Sequence, residues 1–151
     1  MGQSTNGLIA FGFSFEEDFE FPWGEDDPED WWAATKGYKP SVELFTAEGG
    51  YIGGVEPSRE ATKAYFAEKH AWQEANPMPV EIVSHCSGDY PMYILAVPET
   101  SLSARRGYPV EFDPATLTVT PKQIEALAGF CREFCIKTEG DPKWWLASWW
   151  N

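Results

Sequence analysis

Nine acidic residues and no basic residue lie between positions 16 and 30, and the first basic side chain is Lys36. The formal charge is −13, of which residues 1–35 contribute −9 and residues 36–151, with eleven bases and fifteen acids, contribute −4. Because exposed like charges repel one another, such a segment stays folded only if something holds it in place. Its acids are Glu16, Glu17, Asp18, Glu20, Glu25, Asp26, Asp27, Glu29 and Asp30.

Aromatic residues are interleaved with these acids. They recur at a spacing near two residues, at Phe13, Phe15, Phe19, Phe21 and Trp23. This spacing is typical of an extended chain that packs one face against the protein. Asp27 and Pro28 are residue types that cap and begin a helix, and acids at a helix start complement its dipole. The segment 14–35 is therefore expected to be ordered, with phenylalanines buried and most carboxylates exposed.

The rest of the chain alternates strand and helix patterns. Ser58 and Thr120 are helix-capping residues, and each precedes apolar residues at helical spacing. A further short helix is predicted over 142–150, where Asp141 and Pro142 precede the tryptophans Trp144, Trp145, Trp149 and Trp150. Short apolar runs predict strands at 7–13, 80–86 and 93–97, and a hairpin from 102–106 and 108–112.

These elements predict an α+β fold with a mostly antiparallel sheet and about three to four helices. With 43% hydrophobic and 16% aromatic residues, the chain of 151 residues is expected to form one compact domain, residues 1–151. The three cysteines are not the even set of a secreted disulfide framework, and no signal peptide or membrane-spanning run is recognisable. A cytoplasmic location is expected.

The net charge argues against binding to nucleic acid or to anionic membranes, so the expected partner is a basic protein surface. The tryptophans are a second candidate for the working surface, because Trp is enriched in interface cores. In that alternative the chain is a Trp-rich interaction module whose charge serves solubility. The basic pair Arg105 and Arg106 also leaves a homodimer open. The possible aromatic contacts are Trp23, Trp31, Trp32, Trp149 and Trp150.

Reactive side chains form no strong catalytic pattern. His85 and Cys86 are adjacent, but neighbours in a strand face opposite ways, which works against a catalytic pair. Cys131 and Cys135 could join Cys86 and one histidine around zinc, yet both lie on an apolar stripe, where free cysteine behaves as a small hydrophobic residue. No catalytic residue, metal site or cofactor is expected. A small enzyme that uses carboxylates or a metal remains an alternative.

Two stretches of the sequence resemble small tailed-phage proteins. One is GQSTN at 2–6, before a strand rich in Gly and Phe, and the other is HCSGDYPMYILAV at 85–97, followed by RRGYP at 105–109. The resemblance implies a phage origin. By class analogy, the charge is then similar to that of phage DNA mimics, which occupy the DNA-binding surfaces of host enzymes. The expected target is a host gyrase, nuclease or polymerase, with gyrase the best single choice.

Overall fold

The computed structural model describes residues 5–150. The strands are β1 (Thr5–Ser14), β2 (Glu81–Ser87), β3 (Pro91–Ala96), β4 (Leu102–Arg105) and β5 (Lys143–Trp150). The α-helices are α1 (Pro28–Thr35), α2 (Arg59–Ala75) and α3 (Pro121–Glu133), and short 3-10 turns span Ile52–Gly54 and Pro114–Thr116. The predicted α+β class is confirmed.

The strands form one sheet in the order β3-β2-β5-β1-β4, with an additional pairing between β3 and β1. β1 pairs with β5 along one edge, and its other edge pairs first with β4 and then with β3. β2 pairs with β3, and its last residues reach β5 in a short parallel ladder. The ladders from β1 through β3, β2 and β5 lead back to β1, so these four strands form a partly closed, mostly antiparallel barrel.

The interior of this barrel is an apolar core built from residues that alternate along each strand. Leu8 and Ala10 of β1 are buried together with Ile94 and Ala96 of β3. Partly buried residues of β2 and β5 pack against them, namely Val83, Trp145, Ala147 and Trp149. Because side chains alternate between the two faces of a strand, this inward set fixes the register of β1 against β5.

Gly12 lies where the strands approach most closely. It pairs with Ala96 of β3 on one side and with Lys143 of β5 on the other. Its carbonyl oxygen accepts a hydrogen bond of 2.9 Å from the indole Nε1 of Trp145. A Cβ atom at this position would lie 2.7 Å from the Cα of Ala96. Only glycine therefore lets β1 and β3 pair here without displacing backbone.

The predicted helix over 142–150 is wrong, because these residues include the strand β5. Each of its eight residues pairs with a residue of β1. Tryptophan favours strands, and alternation places Trp145 and Trp149 in the barrel interior. Without β5, the edge of β1 would leave its backbone N–H and C=O groups unpaired. Pairing with a distant strand thus outweighs the local signal for a helix start.

The predicted hairpin around Gly107 is also wrong in its pairing. β4 pairs with β1, residues 109–113 are not in a strand, and an isolated bridge joins Arg105 to Tyr108. The edge of β1 offers β4 four partners in register, more than this bridge supplies. In contrast, the predicted strands at 7–13, 80–86 and 93–97 correspond to β1, β2 and β3 within two residues.

The predicted helix starts are confirmed. Asp27, Ser58 and Thr120 cap α1, α2 and α3, and each side chain accepts a hydrogen bond from a backbone N–H of the first turn. At α3 the bonding is reciprocal, because the Gln123 side chain accepts a bond of 2.8 Å from the backbone N–H of Thr120. These caps satisfy N–H groups that have no partner within the helix.

Contacts divide the chain into two compact units. The sheet unit comprises Met1–Gly24 and Pro79–Asn151 and contains the strands and α3, and the helical unit comprises Glu25–Met78 and contains α1 and α2. In the helical unit, the loop before α2 packs on that helix through the rings of Phe45 and Tyr65, whose centres are 5.2 Å apart. The expectation of a single domain stays a prediction.

Replacing Gly12 with Ala should lower the free energy of unfolding by about 3 kcal/mol, because the added methyl group overpacks the crossing of β1 and β3. The control is Gly7→Ala in the same strand, where a Cβ atom would meet nothing within 4 Å. It should change stability by less than about 0.5 kcal/mol. Urea unfolding followed by tryptophan fluorescence measures both variants. Equal stability of the two would show that Gly12 does not govern the crossing.

Candidate protein-binding surface

Directly after β1, residues 16–20 reverse the chain in what we call the acidic turn. The backbone N–H of Phe15 donates a hydrogen bond of 3.1 Å to the carbonyl oxygen of Tyr93, which continues the pairing of β1 with β3. The N–H of Phe19 donates a bond of 3.1 Å to the carbonyl oxygen of Glu16 and closes the turn. The acidic turn is therefore attached to the sheet by backbone hydrogen bonding.

Four aromatic side chains pack against one another and hold the acidic turn in place. We call them the aromatic cluster: Phe15, Phe19, Phe21 and Trp23. Phe15 and Trp23 are only 6% and 7% exposed. The ring of Phe21 stacks on Trp23 with centres 4.6 Å apart and planes 7° apart, and it meets Tyr93 of β3 edge-on at 5.9 Å. Aromatic pairs of this kind contribute about 0.5–1.5 kcal/mol each beyond the area they bury.

The acidic turn presents its carboxylates to solvent. All four acids of the turn are exposed: Glu16, Glu17, Asp18 and Glu20. None of them forms an ion pair within residues 5–24 and 79–150. An unpaired row of like charges opposes folding, so the aromatic cluster has to offset that repulsion. Alternation of apolar and acidic residues thus separates an anchored face from a charged face.

The other five acids belong to the helical unit, and all of them are exposed: Glu25, Asp26, Asp27, Glu29 and Asp30. Two of these have structural partners. One oxygen of Asp27 accepts hydrogen bonds of 3.0 and 3.1 Å from the N–H groups of Glu29 and Asp30. The Asp30 carboxylate pairs with Lys69 of α2, which ties α1 to α2. Glu25, Asp26 and Glu29 face solvent at the positive end of the α1 dipole.

The tryptophans proposed as contacts differ in accessibility. Trp23 and Trp32 are buried, and the Trp32 indole Nε1 donates a hydrogen bond of 3.0 Å to the carbonyl oxygen of Asn76. Trp31, Trp149 and Trp150 are partly exposed. Sequence reasoning missed Leu146, which is 82% exposed in the middle of β5. Recognition of β5 as a strand would have found it, because Leu146 alternates with the inward residues Trp145 and Ala147.

The three cysteines considered for chemistry differ in burial. Cys131 is buried, and burial raises the pKa of its thiol to about 11, although the charge of Arg132 partly opposes this rise. That thiol is protonated at neutral pH and is a poor nucleophile. Cys86 is partly buried and Cys135 exposed. Within residues 5–150, no three His, Cys, Asp or Glu side chains are grouped as metal ligands.

No protein-family model, curated protein or solved structure matches this chain. In the part of the chain that the structure describes, no helix combines the length and apolar character needed to cross a membrane. What the surface can do is therefore inferred from the exposure, charge and packing of its own residues. By these measures the acidic turn is the strongest candidate for a binding surface.

Replacing Asp27 with Ala should destabilise the first turn of α1 by about 1 kcal/mol, because two backbone N–H groups lose their acceptor. Asp27→Asn should restore most of this loss, since Asn caps helices about equally well. Asp26→Ala is the control, as its exposed side chain has no role in the cap. Hydrogen exchange of the Glu29 and Asp30 amides reports the effect. Similar exchange in Asp27→Ala and Asp26→Ala would contradict the role of the cap.

Proposed function

We propose that this protein is an acidic binding protein that inhibits a DNA-processing enzyme by occupying its DNA-binding surface. The observation that carries the proposal is the acidic turn, in which four exposed carboxylates within five residues stand on a packed aromatic cluster. Acids that serve only solubility need no such anchoring. Anchoring matters for binding, because a surface that is already ordered loses less conformational entropy when it meets its partner.

The chemistry of the partner follows from that of DNA. A duplex carries about one negative charge per ~1.7 Å of its axis, and proteins that hold it offer matching Lys and Arg side chains. Carboxylates form charge-assisted hydrogen bonds with these same side chains. The chain itself is repelled by nucleic acid because of its charge of −13, so it competes with DNA for the protein and does not bind the DNA.

The resemblance to tailed-phage proteins supports a setting in which the protein acts in the cytoplasm of an infected bacterium. DNA gyrase is the first target to assay, because it holds DNA along extended basic surfaces. Host nucleases and polymerases are the next targets. In this proposal the protein acts by binding alone and uses no cofactor and no catalytic residue.

A second candidate function is a protein-interaction module that works through β5. The exposure of Leu146, between partly exposed tryptophans, favours it. The two candidates respond differently to salt. Binding through carboxylates weakens steeply as ionic strength rises, whereas contacts between apolar side chains are little affected.

Neutralising the acidic turn with Glu16→Gln, Glu17→Gln, Asp18→Asn and Glu20→Gln should weaken competition with DNA for purified gyrase by about ten- to a hundredfold at low salt. The magnitude assumes four surface pairs of roughly 0.4–0.7 kcal/mol each, the middle of the range for exposed ion pairs. The loss should shrink as salt is raised, because screening weakens the same contacts in the parent protein. The measurement is displacement of labelled duplex DNA from the enzyme at several salt concentrations.

The matched control removes four exposed acids outside the segment: Glu43→Gln, Glu48→Gln, Glu56→Gln and Glu111→Gln. It changes the net charge equally and should retain most of the competition. Equal weakening of both variants would mean that total charge, and not the acidic turn, carries the binding. Unchanged competition by the acidic-turn variant, with its fold intact, would reject the proposal and favour the module that works through β5.

A further inference from the structure

The strand β5 is paired unequally along its two edges. All eight of its residues pair with β1, but on the side of β2 only Trp149 and Trp150 pair, with Cys86 and Ser87. Residues 143–148 therefore face a gap in the barrel wall on that side. An edge of this kind presents backbone N–H and C=O groups that can pair with another extended chain.

An open groove of about 610 Å³ lies at this gap. One wall is formed by His85 and Met92, and the other by Leu146, Ala147 and Trp150. All five residues belong to the sheet unit. The groove therefore combines apolar walls with the edge of a strand, which is the arrangement that proteins use to bind extended peptides.

His85 contributes a buried polar atom to the groove wall. Its Nε2 atom is buried and has no hydrogen-bond partner among the residues that the structure describes. Buried polar side-chain atoms nearly always have a partner, because an unmade hydrogen bond costs about 1–3 kcal/mol. Burial lowers the pKa of His85, so its imidazole is neutral at neutral pH and can accept or donate one hydrogen bond.

We propose that this groove binds an extended, basic segment of a partner protein, which adds as a strand to the free edge of β5. Charge selects the occupant. Exposed carboxylates stand beyond both ends of β5 and outnumber Lys143, the one basic residue in 141–150: Asp141 precedes β5 by two residues, and Asp89 follows Gly88, whose N–H donates a hydrogen bond of 3.3 Å to the carbonyl oxygen of Trp150. A second copy of this chain would bring another charge of −13 to the same place.

This surface is distinct from the acidic turn, and the proposal stands without the DNA-competition function. The incoming strand would place small or apolar side chains beside Ala147 and Met92 and its basic side chains near the ends of β5. Its backbone would complete the hydrogen bonding of residues 143–148.

The test uses a synthetic peptide, Lys-Val-Thr-Val-Thr-Val-Lys, and the isotope-labelled full-length protein. Binding should shift the amide resonances of residues 81–85 and 143–148 and the imidazole resonances of His85. The same peptide with alternate backbone amides methylated keeps every side chain but loses donors for strand pairing, so its affinity should fall at least tenfold. Equal binding of the methylated peptide, or shifts confined to other residues, would overturn strand addition.

A protein variant gives a second readout. Leu146→Lys adds a charge at an exposed position on the groove wall and should weaken binding of the basic peptide at least fivefold. The control, Val110→Lys, adds the same charge at another exposed apolar residue of the sheet unit and should bind as the parent does. Equal affinity for a peptide with Glu in place of both Lys would overturn the choice of a basic partner. Self-association that shifts the resonances of 143–148 would replace that partner with a second copy.

Discussion

The pairing of β1 with β5 joins the two ends of the described chain through eight residue pairs, from Thr5 with Trp150 to Gly12 with Lys143. This pairing places β1 at the centre of the barrel, because β1 also pairs with β4 and β3 along its other edge. The aromatic cluster depends on it in turn, since Phe15 continues the pairing of β1 with β3. Contacts so distant in sequence slow folding, because a long loop must close before they form.

The acidic residues fall into two groups, those that stabilise the fold and those that do not. Asp27 satisfies backbone donors of α1, and Asp30 is paired with Lys69, so both contribute to the helical unit. The acids of the turn have no such partner within the described sheet unit and add repulsion that the aromatic cluster must offset. A stability cost placed on an anchored surface is typical of residues kept for binding. This contrast, more than the total charge, supports a functional role for residues 16–20.

Local signals predicted the helices well and the pairing of distant segments poorly. Asp27, Ser58 and Thr120 were predictable because a cap involves only the next few residues. The strand β5 was mistaken for a helix because its pairing partner lies more than 130 residues away, and Asp141 with Pro142 resembles a helix start. Alternation predicted exposed acids and a buried Phe15. The groove could not be predicted, since it arises where β2 and β5 diverge.

Carbodiimide cross-linking of the protein in complex with its target tests the central claim most directly, because the reagent joins carboxylates to lysine amines only where they touch. The target is gyrase or a protein that the chain retains from bacterial lysate. We predict that mass spectrometry will find cross-links from residues 16–20 to lysines that otherwise contact DNA, and that added duplex DNA will suppress them. Cross-links confined to other acids, or to lysines outside the DNA path, would contradict the account.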